Sequence, residues 1–101
     1  MEINVQTLTV RNNPAENRFE VQLDDQIGEL VYRKEGVVYT LEHIGVPEEY
    51  RGRGIASHLV REALEEIKLE NGKIVPQCPF VKTFLRRNPE YQSLVVPTRH
   101  H

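Results

Sequence analysis

Tyr50-Arg51-Gly52-Arg53-Gly54-Ile55-Ala56-Ser57 joins an extended apolar segment to the start of an amphipathic one. Upstream, Val37-Val38-Tyr39-Thr40-Leu41-Glu42-His43-Ile44 is rich in β-branched and aromatic residues and reads as a strand. Downstream, Ile55, Leu59, Ala63, Leu64 and Ile67 recur at helical spacing, with Arg61, Glu62, Glu65 and Glu66 on the outer face. Strand, glycine loop and helix N-terminus in that order make an anion cradle. The two glycines let the backbone turn sharply, and the first-turn amides of the helix have no intrahelical acceptor. The helix dipole adds about half a positive charge, so with Arg51 and Arg53 alongside, a phosphate or pyrophosphate is the natural guest.

Working outward, Phe19, Val21 and Leu23 alternate with Glu20, Gln22 and Asp24, the pattern of a half-buried antiparallel strand. Asn12-Asn13-Pro14 before it and Asp24-Asp25 after it are turn chemistry. Ile27 to Arg33 is the next strand, Lys34-Glu35-Gly36 a hairpin turn, and Val37 to Val46 a longer strand with Val37, Tyr39, Leu41 and His43 on one face. Ile3 to Val10 also reads as extended. Asn71-Gly72 stops the first helix, and Lys73 to Pro76 is a short strand running parallel to the Val37 to Val46 strand through a right-handed crossover. Pro79 opens a second helix with Phe80, Phe84 and Leu85 inward, and Asn88-Pro89 ends it. The fold class is therefore α+β: a mostly antiparallel sheet, one parallel β-α-β pair and two helices.

With 101 residues the chain is expected to be a single domain, residues 1 to 101, with its core in 17 to 95. Thirteen basic and fifteen acidic residues are interspersed along it, giving a net charge of −2 and a pI near 6.1, which argues against a general nucleic-acid binder. No apolar run reaches membrane-spanning length, Met1 is not followed by a signal peptide, and a single cysteine suits a reducing compartment, so a cytoplasmic protein is expected. His100 and His101 read as the stub of a purification tag.

Arg51-Gly52-Arg53-Gly54-Ile55-Ala56 fits the Arg/Gln-x-x-Gly-x-Gly/Ala signature of the GCN5-related N-acetyltransferases, whose loop holds the pyrophosphate of acetyl coenzyme A. His43, the stretch Val46 to Ala56, Val75-Pro76-Gln77-Cys78-Pro79-Phe80-Val81 and Arg86-Arg87-Asn88-Pro89-Glu90-Tyr91 resemble the small single-domain subgroup that carries an active-site cysteine. The resemblance implies a shortened fold, acetyl coenzyme A as cosubstrate, and a pantetheine arm lying where the two parallel strands splay, with Val46 offering strand-edge hydrogen bonds. This chain has Ile44-Gly45 where subgroup members more often carry a polar pair such as Thr-Glu, which alters the side chains beside the acceptor amine.

On this reading the backbone of Gly52, Arg53, Gly54, Ile55 and Ala56 grips the pyrophosphate, with Arg51 and Arg53 adding charge. Cys78 precedes the proline that opens the last helix, so its thiol sits at a positive helix end, where a thiolate is favoured and could attack a thioester. A buried small apolar cysteine is the competing reading. His43 is the candidate base, with an unperturbed pKa of about 6.5, against a purely hydrogen-bonded strand histidine. Glu42 is a weaker candidate, and His58 is either a surface residue or a phosphate contact. Arg86, Arg87 and Asn88 at the end of the last helix are candidates for holding the distal part of the coenzyme, although basic residues suit a helix C-terminus in any case.

No zinc-ligand spacing, Gly-x-Ser-x-Gly or Gly-x-x-x-x-Gly-Lys-Ser/Thr occurs, so no metal is expected. Gly52 to Ser57 approaches a dinucleotide fingerprint but lacks its third glycine. Two functions stay open: an N-acetyltransferase acting on an amine, either a small molecule or a protein lysine, and a coenzyme A binding or acyl-carrying module without significant transferase activity. A monomer or weak homodimer is expected in either case.

Overall fold

A computed structural model describes residues 4 to 97; Ile3 and the His100-His101 pair lie outside the described residues. Five strands form one sheet in chain order: β1 (Val10–Asn13), β2 (Arg18–Leu23), β3 (Gln26–Glu35), β4 (Val38–Gly45) and β5 (Lys73–Pro76). The first four pair antiparallel, and β5 adds parallel to β4 after the crossover helix α1 (Ile55–Leu69). Helix α2 (Pro79–Arg87) follows β5, and a 3-10 segment, Pro89–Leu94, leads Val95 back to bridge Ile74. The α+β class and the parallel pair match the expectation from sequence.

Alternation on the antiparallel strands sorts the sheet into a packed face and a wet one. Phe19, Val21, Leu23, Leu30, Tyr32, Tyr39 and Leu41 are buried beneath the helices, where α1 contributes Ile55, Leu59, Val60, Ala63, Leu64 and Ile67. On α2 the inward residues are Val81, Phe84 and Leu85. Phe80, expected inward, is 36% exposed: it lies about 40° around the helix from Phe84, at the margin of that stripe. The opposite face of the sheet carries charge: Arg18 reaches Glu20 at 2.6 Å and Glu29 at 3.1 Å, and Arg33 reaches Glu42 at 3.0 Å.

Three local expectations change. Val5–Thr7 is a 3-10 turn and not extended, its entry capped by the Asn4 side chain, and pairing begins only at Val10. Asn12 and Asn13 belong to β1, and the turn lies later, at Pro14–Glu16, closed by Asn17 with φ 55°. The β3–β4 hairpin turns on Gly36-Val37, with Gly36 at φ 61°, so β3 continues to Glu35. The stop at Asn71-Gly72 takes the expected place: Asn71 adopts φ 60°, its N–H reaches the Lys68 carbonyl, and that of Gly72 reaches Ile67 at 2.8 Å.

Glu20 accepts from Arg18 Nε and from Asn13 Nδ2 at 3.0 Å, and these bonds hold its carboxyl below the ordinary 4.5. An acid whose pKa is lowered by folding stabilises the fold above its unfolded value, and this contribution is lost as pH falls through the folded value. Burial and Glu70 raise Glu66, which works in the opposite sense. Urea unfolding is therefore expected to show a steeper loss of stability below pH 4.5 in wild type than in Glu20→Gln; equal slopes would refute the assignment.

Candidate functional site

The 43 to 46 segment owes its shape to one extra residue. Tyr32 pairs with Leu41 and Val31 with His43, so Glu42 is bulged out of the ladder. Beyond it the alternation inverts. His43, expected on the face of Tyr39 and Leu41, stands exposed on the wet face, while Ile44 turns toward the core.

Pairing with β5 stops at the same level. Leu41 opposite Pro76 is the last pair, and the Leu41 carbonyl then accepts from both Gln77 and Cys78 N–H at 3.0 Å, which draws the chain away from β4. His43 to Gly45 keep their β3 partners on one side, and no ladder covers the other.

After β4 the chain makes a 3-10 turn at Glu48–Tyr50 and enters the glycine loop. Two bonds pin this turn to the β2–β3 connection: Tyr50 Oη donates to Asp24 Oδ2 at 3.0 Å, and Gln26 Nε2 to Glu49 Oε1 at 2.5 Å. The bond to Asp24 also raises the Tyr50 phenol above its usual value. Gly52 and Gly54 take φ of 78° and 81°, and no atom lies within 4 Å of where a Cβ would stand on either. Backbone conformation is what requires glycine there. Gly54 is the N-cap of α1 and supplies no side-chain cap; the first helical bond runs from His58 N–H to the Gly54 carbonyl at 3.0 Å. The amides of Ile55, Ala56 and Ser57 thus open the helix without a side chain across them.

A cavity of about 680 Å³ connects these parts. His43 to Val46 form one wall, Tyr50 to Gly52 and Gly54 to Ser57 another, and Phe80 of α2 closes the side. The structure thus gathers His43, Val46, Arg51, Gly52, Gly54, Ile55 and Ala56 around one space. Arg51 Nε makes a long 3.4 Å contact to the Val46 carbonyl across it. Arg53 lies outside the lining, its guanidinium 5.7 Å from the Tyr50 ring centroid.

Both halves of the site, and strands β2 to β5, fall within residues 18 to 94, which match the model of the GCN5-related N-acetyl-transferase family. The chain belongs to this family. Among its relatives, the protein NATD1 of Homo sapiens is 35% identical over 86 residues, covering 85% of this chain and 69% of that one. NATD1 of Danio rerio is 32% identical over 90 residues, 86% and 82% of the two chains. The NMR solution structure of a GCN5-like protein from Staphylococcus aureus superposes with a TM-score of 0.68 at 28% identity, covering 93% of each chain.

For an N-acetyltransferase-like fold, the remaining candidates are placed as follows. Cys78 stands at the N-cap of α2 but is 4% exposed, within the core cluster and outside the cavity lining, whereas His43 is exposed and lines the cavity. Arg86 and Asn88 also lie outside the lining. Arg86 donates to Thr83 Oγ1, and Asn88 closes α2 by donating to the Phe84 carbonyl while accepting from Arg61 at 3.1 Å. His58 bonds the Leu8 carbonyl at 2.8 Å and lies outside the cavity lining. Glu42 is held by Arg33. Among the described residues no group of three or more His, Cys, Asp or Glu could hold a metal, and no helix is long and apolar enough to cross a membrane. Ile44, Gly45, Tyr50, Ser57 and Phe80 also line the cavity and were not among the residues expected to be catalytic or to hold the cofactor.

Proposed function

We propose that this chain binds acetyl coenzyme A in the cavity and transfers its acetyl group to an amine. The observation that carries the reading is the uncapped amide cluster of Ile55 to Ser57 opening into the same cavity as the unpaired edge of β4. Those amides and the dipole of α1 suit a diphosphate, with Arg51 at the rim. The backbone of His43 to Val46 offers hydrogen bonds to an arm carrying amides, and Phe80 shields it from one side. A thioester at the far end of that arm lies beside His43. His43 takes the proton that the amine nitrogen loses as the C–N bond forms; the C–S bond breaks and coenzyme A leaves as the thiolate.

Direct transfer is favoured over an acyl-cysteine, because the Cys78 thiol is buried away from the cavity. Cys78→Ala is expected to release coenzyme A at a rate close to wild type, followed by a free-thiol assay with primary amines. Loss of turnover in that variant, together with an acetylated Cys78 in the intact mass of wild type, would instead establish the covalent route. Tight binding of acetyl coenzyme A without release in the presence of any amine would support the carrier reading in place of the transferase.

A further inference from the structure

The glycine loop has few holds of its own. Arg51, Gly52, Arg53 and Gly54 are all exposed, and beyond their chain neighbours no atom lies within 4 Å of a Cβ position on either glycine. The buried residues that bracket the loop are Ile55, in α1, and Tyr50, which is 8% exposed and lines the cavity. Tyr50 therefore anchors the side of the loop that leads in from β4. Its hydroxyl donates to Asp24 Oδ2 at 3.0 Å, 26 residues away in sequence, and its ring lies 5.7 Å from the Arg53 guanidinium, within reach of a cation–π contact. From the same β2–β3 connection, Gln26 Nε2 fastens the preceding residue, Glu49. Asp24 holds φ 53° at an exposed turn and does not itself line the cavity.

We infer that Asp24 is a positioning residue for the cofactor loop: by holding the Tyr50 hydroxyl, it keeps the backbone from Arg51 to Gly54 in the turned shape that leaves the first amides of α1 open to a diphosphate. This rests on the reading that the cavity takes coenzyme A. A ligand that binds only the turned loop has an apparent Kd equal to the intrinsic value divided by the fraction of molecules in that shape. The bond to Asp24 raises that fraction before the ligand arrives. The sign of the effect separates positioning from charge. A carboxylate repels an anion, so an Asp24 that acted through its charge alone would, on removal, leave a tighter site. An Asp24 that acts through Tyr50 leaves a weaker one.

Calorimetry with coenzyme A on the full chain tests this in four variants, each accompanied by a thermal melt. Tyr50→Phe removes the donor, changes no charge and keeps the buried ring. Asp24→Gly removes the acceptor and keeps the left-handed backbone at no steric cost. The two combined close a double-mutant cycle. Asp24→Asn loses the charge but keeps an oxygen that accepts from the phenol, in a residue that tolerates φ above zero. Kd is expected to rise about three- to tenfold in Tyr50→Phe and in Asp24→Gly, the scale of one hydrogen bond, and no further in the double variant. Asp24→Asn is expected to bind as wild type does or more tightly. Three results overturn the inference and leave the coenzyme A reading standing: an unmoved Kd in Tyr50→Phe, losses that multiply in the double variant, or an Asp24→Asn as weak as Asp24→Gly. A bond that served stability alone would lower the melt and leave Kd where it was, which is the first of these. Tyr50→Phe and Asp24→Asn decide the matter between them where Asp24→Gly does not fold. Wild type that fails to bind coenzyme A brings down the transferase reading itself, and this inference with it.

Discussion

Gly54→Val is expected to lose coenzyme A binding while retaining the fold. Gly54 holds φ 81° as the N-cap of α1. A side chain in the left-handed region costs roughly 1–2 kcal/mol, and a β-branched one is the worst case, so the residue is expected to leave that conformation. When it does, the amides of Ile55 to Ser57 no longer converge. Each hydrogen bond to a charged acceptor contributes about 1.5–3 kcal/mol, so losing two lowers affinity by a factor on the order of a hundred or more. Calorimetry with coenzyme A reads the loss, and a thermal melt shows whether folding survives. No protein atom stands near the new side chain, so the variant should melt as a cooperative unit. Unchanged affinity in a folded Gly54→Val protein would show that the diphosphate is held elsewhere.

The second large effect is on stability. Phe19 is fully buried, and its ring lies 5.3 Å from that of Tyr32 and 6.0 Å from that of Tyr39, which meet each other edge to face at 4.9 Å. Both tyrosines reach out of this cluster to bonded partners, Tyr32 Oη to Asn12 and Tyr39 Oη to Glu70, each at 2.7 Å. Burial pushes both phenols above their usual range, and for Tyr39 the bond to Glu70 pushes further. Removing the Phe19 ring leaves a cavity that hydrogen-bonded neighbours cannot collapse into without breaking those bonds. Phe19→Ala is expected to cost about 3–5 kcal/mol, a large share of the 5–15 kcal/mol that holds a domain of this size. Urea denaturation measures it. A loss well under 1 kcal/mol would mean that the three rings do not form the centre of the core.

Much of this architecture was legible because periodicity reports burial. Phe19, Val21 and Leu23 announced a one-sided strand, and Ile55 to Ile67 a one-sided helix, and packing agreed with both. The glycine loop was legible for a different reason: two glycines before a helix are uncommon unless the backbone must turn left-handed, and both do. Asn12 and Asn13 misled, since turn-forming side chains also serve strand ends when they have partners; Asn12 accepts from Tyr32, and Asn13 donates to Glu20. His43 was assigned to the site from its neighbours but to the wrong face, because alternation carries no sign of a bulge. Arg86 and Asn88 were candidate ligands by charge and position in sequence; they lie outside the lining of the cavity, and the bond of Asn88 to Arg61, 27 residues away, is one that only the fold reveals. For Cys78 the sequence left two readings open, and burial favours the apolar one.

The displaced Glu42 gives one strand two separate duties. Before it, the odd-numbered Tyr39 and Leu41 belong to the interior; after it, the even-numbered Ile44 packs there, and His43 is released to solvent. Mutation can therefore diversify the residues after the kink without penalty to Tyr39 and Leu41. A lineage could thus explore new acceptors on one half of a strand while the other half went on anchoring the domain.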